Sequence, residues 1–190
     1  MKYSYLYQQK KYHLLVFFLF IALMAIGQQF TDSFQYDRLS IANGEYWRII
    51  TCHFCHIGWK HLLLNLIGFI FIILFFFHIY PLVKWFYATI FCSVFIGLGF
   101  LILMPELDWY MGLSGLLHSF LVIGLVGEIK RGRKLYYVGL LVVLLKVVME
   151  KYVGPSIYTR QFLEFTVIAD AHVLGALSGL MFSFLSKVKK

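Results

Sequence analysis

The sequence predicts an all-α membrane protein, a compact bundle of six transmembrane helices with both termini in the cytoplasm. Three observations carry this reading. Hydrophobic residues make up 61% of the 190 residues, charged residues make up 14%, and mean hydropathy is +0.80. Soluble domains are about half apolar and about a quarter charged. Apolar runs near the roughly 20 residues that cross a bilayer recur along the chain. Basic residues cluster in alternate loops, as they do where spans are oriented by charge. This composition excludes a disordered chain and argues against an ordinary soluble enzyme. Three cysteines are too few for a disulfide scaffold.

The predicted spans are about 14–27, 61–80, 82–104, 111–127, 135–149 and 166–185. The first follows Lys10 and Lys11, and Tyr3, Tyr5, Tyr7 and Tyr12 before it read as an interfacial aromatic belt. Ala25-Ile26-Gly27 at its end also fits a signal-peptide cleavage site, which leaves five spans in the same orientation. The second and third are long and nearly uncharged. The first, fourth and fifth are short and need tilt or local thinning of the bilayer. Between the fifth and sixth, Lys151 to Phe165 form an outer loop with a turn at Gly154-Pro155, a candidate lid.

Charge sets the orientation. Lys2, Lys10, Lys11, Lys84, Lys130, Arg131, Arg133, Lys134, Lys187, Lys189 and Lys190 fall on one side. Arg38, Arg48, Lys60, Lys151 and Arg160 fall on the other, so the count is eleven against five. The basic-rich side is the cytoplasmic one. The net charge of +8 follows from this asymmetry and gives no sign of nucleic-acid binding.

Ionisable and polar residues inside spans are costly and are functional candidates. His61 and Asn65 open the second span, Ser114 and His118 the fourth, and Asp170 and His172 the sixth. These spans all start on the outer side. At ~1.5 Å per residue, Ser114, His172, Asn65 and His61 share a layer just below the outer surface. A Ser and a His at one depth are a candidate nucleophile and general base. Two further hydrogen-bonding side chains there are candidate oxyanion donors. Gly112-Leu113-Ser114-Gly115 places the Ser between glycines at a helix start, where N–H groups are unpaired. Gly175 and Gly179 form a small-xxx-small stripe that lets another helix pack closely one turn beyond His172.

Lys146 and Glu150, at i, i+4, together with Asp170 read as a structural ion pair or trio. The alternative is that Asp170 tunes His172, although two residues apart on one helix they point in largely opposite directions. Cys52-His53-Phe54-Cys55-His56 has the C-x-x-C-H pattern of haem attachment. A Cys52–Cys55 disulfide, free thiols and zinc binding are the other readings of that segment.

Taken together, these residues resemble the rhomboid family of intramembrane serine proteases. The resemblance covers nearly the whole chain, read as a single domain over 1–190. It runs through Gly44-Glu45-Tyr46-Trp47-Arg48, HFCHIGWKHLLLN from His53 to Asn65, Gly112-Leu113-Ser114-Gly115 and Ala171-His172-Val173-Leu174-Gly175. It implies a Ser–His dyad in which Ser114 attacks the scissile carbonyl and His172 shuttles the proton. His61, Asn65 and the Ser114 backbone N–H would bind the oxyanion, with no cofactor and no metal. Trp47 and Arg48 would structure the first outer loop, and His56 would structure that loop near the site.

Within the family, the compact size and the phrase GLSGLLH from Gly112 to His118 are similar to the rhombosortases. Many rhomboids carry a Tyr four residues after the Ser, and here that position is His118. Rhombosortase resemblance implies a site open to the periplasmic side of a bacterial inner membrane. It also implies substrates that end in a Gly-Gly motif, an apolar span and a basic tail. A general rhomboid acting on other single-span proteins is the alternative, followed by a non-catalytic rhomboid-like or haem-binding membrane protein.

Overall fold

A computed structural model describes residues 17–163 and 167–187. The N-terminal tyrosines and lysines, the first residues of the first and sixth predicted spans, and the last lysines lie outside the described residues. The described residues are mostly helical. Helix α1 (Phe17–Gly27) leads into an outer loop that holds α2 (Thr31–Phe34), β1 (Tyr36–Asp37), α3 (Arg38–Ala42) and α4 (Arg48–Thr51). Then come α5 (Gly58–Phe76), α6 (Leu82–Leu103), β2 (Trp109–Tyr110), α7 (Ser114–Lys130), α8 (Tyr136–Val153), α9 (Ile157–Leu163) and α10 (Ala169–Leu185).

Among the described residues, two stretches are long and apolar enough to cross a membrane, α5 with its short 3-10 extension (Gly58–Ile79) and α6, while α1 and α10 are apolar and shorter. Leu63, Leu64, Ile67, Phe71, Leu74 and Phe75 of α5 are exposed. A helix that is apolar on all faces and still exposes such residues faces lipid. The buried core lies between α6, α7 and α10, where Ile96, Phe100, Leu116 and Ile123 are fully covered. Helix α7 is central, packed against α10, α5 and α8.

One end of the bundle gathers a cluster of basic residues. Lys84 reaches the Lys187 carbonyl, and Lys130 reaches the carbonyls of Ser183 and Ser186. The fully buried Glu128 pairs with His78 at 2.8 Å and Arg133 at 3.1 Å. His78 is thus part of an ion-pair cluster.

At the other end the outer loop is sewn to the bundle. β1 pairs antiparallel with β2, Tyr36 opposite Tyr110, which links the loop to the segment just before α7. The Arg38 guanidinium caps the end of α6. It donates to the carbonyls of Phe100 (2.7 Å), Met104 (2.6 Å), Leu101 (3.4 Å) and Leu107 (3.0 Å). The last carbonyls of a helix have no partner within it and carry its negative dipole end. Arg38→Met should therefore lower stability by about 2–3 kcal/mol, and Arg38→Lys should recover only part, since a point charge cannot serve a fork of acceptors. Thermal unfolding in detergent checks this.

Candidate active site

The site is built where α7 and α10 touch. A Cβ on Gly175 would overlap the carbonyl of Gly115, and one on Gly179 would lie 2.6 Å from the carbonyl oxygen of Ser119. The stripe of small residues thus brings the two backbones into contact. Ser119 and Ser178 hydrogen-bond across that contact at 2.9 Å.

Ser114 is the first residue of α7, with Leu113 at the N-cap. The fourth predicted span begins at Met111, three residues before it. The structure instead delivers it through an extended segment, and Gly112 turns at φ +138°. A side chain at Gly112 would also meet the His61 ring at 2.7 Å, so conformation and space both require glycine. The Gly112 N–H donates to the Cys52 carbonyl at 2.9 Å. The Leu113 N–H donates to His56 Nε2 at 3.4 Å. The outer loop thereby holds the turn that presents Ser114. Tyr110, absent from the sequence reading of the site, donates its hydroxyl to the Gly112 carbonyl at 2.8 Å and also interacts with the Ser114 side chain.

His172 lies in the first turn of α10 and is 5% exposed. Its ring stacks on His118 with centroids 4.1 Å apart and planes at 21°. His118 sits one turn after Ser114 and shares a 2.8 Å hydrogen bond with the Ser114 carbonyl through Nδ1. His172 Nδ1 is 2.7 Å from Glu150 Oε2, while His172 Nε2 is buried without a hydrogen-bond partner among the described residues. Ser114 lines a small cavity of about 30 Å³ with His61, Tyr110 and Ile168, large enough for about one water. A wider recess of about 490 Å³, bordered by Gln28, Thr31, Asp37 and His56, shares Ile57, Trp109 and Met111 with that cavity. A separate cavity of about 530 Å³ between α1, α5 and α6 is lined by apolar side chains and Thr89, with no titratable group.

Asn65 is buried on the same face as His61, and its amide donates to the His61 carbonyl at 3.0 Å. One N–H of that amide remains for another acceptor. Arg48 is buried, bonded to Glu45 at 2.7 Å and to the carbonyls of Asp32 and Gln35. Trp47 is exposed and donates to the Ser33 carbonyl at 3.2 Å, a placement suited to the membrane interface.

Of the ion pair or trio expected from Lys146, Glu150 and Asp170, the Lys146–Glu150 pair forms and Asp170 stands apart from it. Glu150 pairs with Lys146 at 2.6 Å and with His172, while Asp170 pairs with Lys151 at 2.5 Å. Asp170 and His172 leave α10 in opposite directions, so each meets a different residue of α8. Glu150 is therefore the site residue that the sequence reading assigned to structure. The ligand atoms of His118, Glu150 and His172 lie within 4.8 Å of one another. The Lys146 ammonium already stands among them, 2.9 Å from His118 and 2.6 Å from Glu150.

Cys52, Cys55 and Cys92 are free and buried. Burial pushes the Cys55 thiol up to about 12 and the Cys52 thiol well above its usual value. Both are held as thiols, a poor form for attaching haem or binding zinc. Burial also pushes His53 down to about 4 and His56 to about 3, the latter helped by the neighbouring His61. Both are neutral in the folded protein at physiological pH, as the Leu113 N–H bond to His56 requires. The unfolded chain takes up protons at these imidazoles below about pH 6.5. Their contribution is therefore complete above that pH and is lost as pH falls towards 4 and 3, at up to about 1.4 kcal/mol per pH unit for each. A melting series from pH 7 to pH 4 should show a falling midpoint, and His53→Gln should make the slope shallower.

Residues 43–188 match the Rhomboid domain. No curated protein matches the chain. The matched region covers well over half of the sequence and contains Ser114, His172 and every other candidate named above. The chain belongs to the rhomboid family, whose members are in general intramembrane serine proteases.

Proposed function

We propose that this protein is an intramembrane serine endopeptidase that uses Ser114 as nucleophile and His172 as general base. The observation that carries it is His172 Nε2, a buried ring nitrogen with no partner among the described residues. Its ring is stacked on the residue one turn after Ser114. A buried polar atom left unpaired is costly and asks for an explanation, and a base awaiting a serine proton supplies one. In the reaction, Ser114 Oγ bonds to the scissile carbonyl carbon while its proton passes to His172 Nε2. The proton then goes to the leaving amine. Water enters from the outer recess and hydrolyses the acyl-enzyme with His172 again as base. The Ser114 N–H, His61 and Asn65 are the proposed oxyanion donors.

The same reading takes α1, α5, α6, α7, α8 and α10 as six spans with both termini in the cytoplasm of a bacterium. The site then opens to the periplasmic side of the inner membrane. The basic cluster at the far end of the bundle supports this orientation. The proposed substrates are exported proteins anchored by a C-terminal Gly-Gly motif, an apolar span and a basic tail, as for rhombosortases. Glycine disfavours helix by about 1 kcal/mol relative to Ala, so a Gly-Gly pair lets the substrate backbone unwind into the site.

The test is a pair of single-span reporters in proteoliposomes, one with the Gly-Gly and basic-tail signal and one with neither. Cleavage of the first alone supports the rhombosortase-like specificity. Cleavage of both points to a general rhomboid. If folded protein cleaves neither and fluorophosphonate leaves Ser114 unlabelled, the protease reading fails.

A further inference from the structure

We propose that Glu150 is a positioning residue for His172, so that the catalytic unit is a Ser114–His172–Glu150 triad carried on three helices. This rests on the protease reading above and deepens it.

The hydrogen bonds fix the tautomers of both stacked imidazoles. Lys146 Nζ has only N–H groups to offer, so at 2.9 Å it donates to His118 Nε2. His118 Nε2 is then the acceptor, and its Nδ1–H donates to the Ser114 carbonyl at 2.8 Å. Ionised Glu150 can only accept, so at 2.7 Å the His172 Nδ1–H donates to its Oε2. This leaves the lone pair of His172 on Nε2, the buried nitrogen with no partner among the described residues. A general base for Ser114 must present that lone pair.

The carboxylate is 14% exposed in its side chain, and Lys146 neutralises it at 2.6 Å. It can therefore remain ionised within the bundle without standing as an isolated charge. Glu150 accepts from the same Nδ1–H before and after His172 takes the serine proton, so it orients the ring throughout without itself receiving the proton. The stack on His118 holds the ring plane, and Glu150 holds its rotation and tautomer. The groups that face His172 are His118 from α7, Lys146 and Glu150 from α8, and His61 from α5.

The experiment uses the full chain in lipid bicelles. It measures the rate of Ser114 labelling by a fluorophosphonate, kcat and KM on the reporter, and the low-field proton resonance of the His172 Nδ1–H. The variants are Ser114→Ala, His172→Ala, Glu150→Ala and Glu150→Gln. The double variant Lys146→Met with Glu150→Gln removes both charges together, so it keeps a neutral pair if a single change impairs folding. Glu150→Ala should slow labelling and lower kcat by about 10²–10⁴-fold with KM little changed. The Nδ1–H resonance should persist in Ser114→Ala and vanish in Glu150→Ala. A merely structural role would alter the melting midpoint but would not separate kcat from KM. Wild-type labelling rates in all the Glu150 variants would overturn the triad and leave a Ser–His dyad. If the wild type neither labels nor cleaves while its resonance depends on Glu150, the protease reading itself falls and the positioning role falls with it.

Discussion

Ser114→Ala should bring reporter cleavage down to background, a loss of at least about 10⁴-fold, and His172→Ala should come close to it. Neither residue can be replaced by its surroundings. Ser114 lines the small cavity closed by His61, Tyr110 and Ile168. The neighbouring serines, Ser119 and Ser178, are bonded to each other at 2.9 Å in the helix contact. His118 cannot serve as base in place of His172. One of its ring nitrogens is held at the Ser114 carbonyl and the other at Lys146. The double variant should be no worse than either single one, because nucleophile and base act as a unit. His118→Ala should cost less than His172→Ala, since it removes the stack and leaves the base. Cleavage rates and fluorophosphonate labelling of all four proteins in one membrane preparation check these expectations. Substantial cleavage by Ser114→Ala would remove Ser114 as nucleophile.

The membrane class of the fold was legible because a bilayer imposes length and composition on the chain. The second and third predicted spans, 61–80 and 82–104, meet helical structure over Gly58–Ile79 and Leu82–Leu103. These runs are apolar on every face. The start of α7 was less legible. Hydropathy begins at Met111, but the backbone there is extended and turns at Gly112, and helix begins only at Ser114. Hydropathy reports solvent preference and is blind to such a turn.

The glycine stripe of Gly175 and Gly179 could be read because it depends on local spacing. The partner of His172 could not. Glu150 lies 22 residues earlier in sequence, and its i, i+4 spacing to Lys146 already offered a sufficient structural explanation. Which face of α8 turns towards α10 depends on how those helices pack, which sequence periodicity leaves open when a helix is apolar nearly all round. Helix direction on α10 did give a usable signal. Asp170 and His172 point apart, so an acid for His172 had to come from another helix. Arg38 shows the same limit. In the sequence it was one of five outer charges, and in the structure it closes the end of α6 by reaching carbonyls more than 60 residues away.

Gly175→Ala should be the most damaging conservative change outside the polar site. The added methyl would overlap the Gly115 carbonyl oxygen and lie 2.9 Å from its carbon and 3.3 Å from its Cα. Those are backbone atoms of a packed helix and cannot rotate away. The helices must separate, at a cost of about 3 kcal/mol, the upper end for overpacking. The contrast is Gly139, where a methyl would meet only the end of the Leu125 side chain at 3.0 Å. Gly139→Ala should change stability by less than about 1 kcal/mol. The consequence for chemistry is larger than the thermal shift implies. Gly115 directly follows Ser114, and Gly175 is one turn from His172, so the contact between the two glycines sets the distance between the proposed nucleophile and base. Pushing α10 outward by even about 1 Å can cost on the order of 10²-fold in rate. Gly175→Ala should therefore lower both the melting midpoint and the rate of Ser114 labelling, including at temperatures where the protein remains folded. A variant that melts early but labels at the wild-type rate would show that the stripe stabilises the bundle without positioning the site. The expected result makes the same two glycines the structural support of the bundle and the gauge that sets its catalytic spacing.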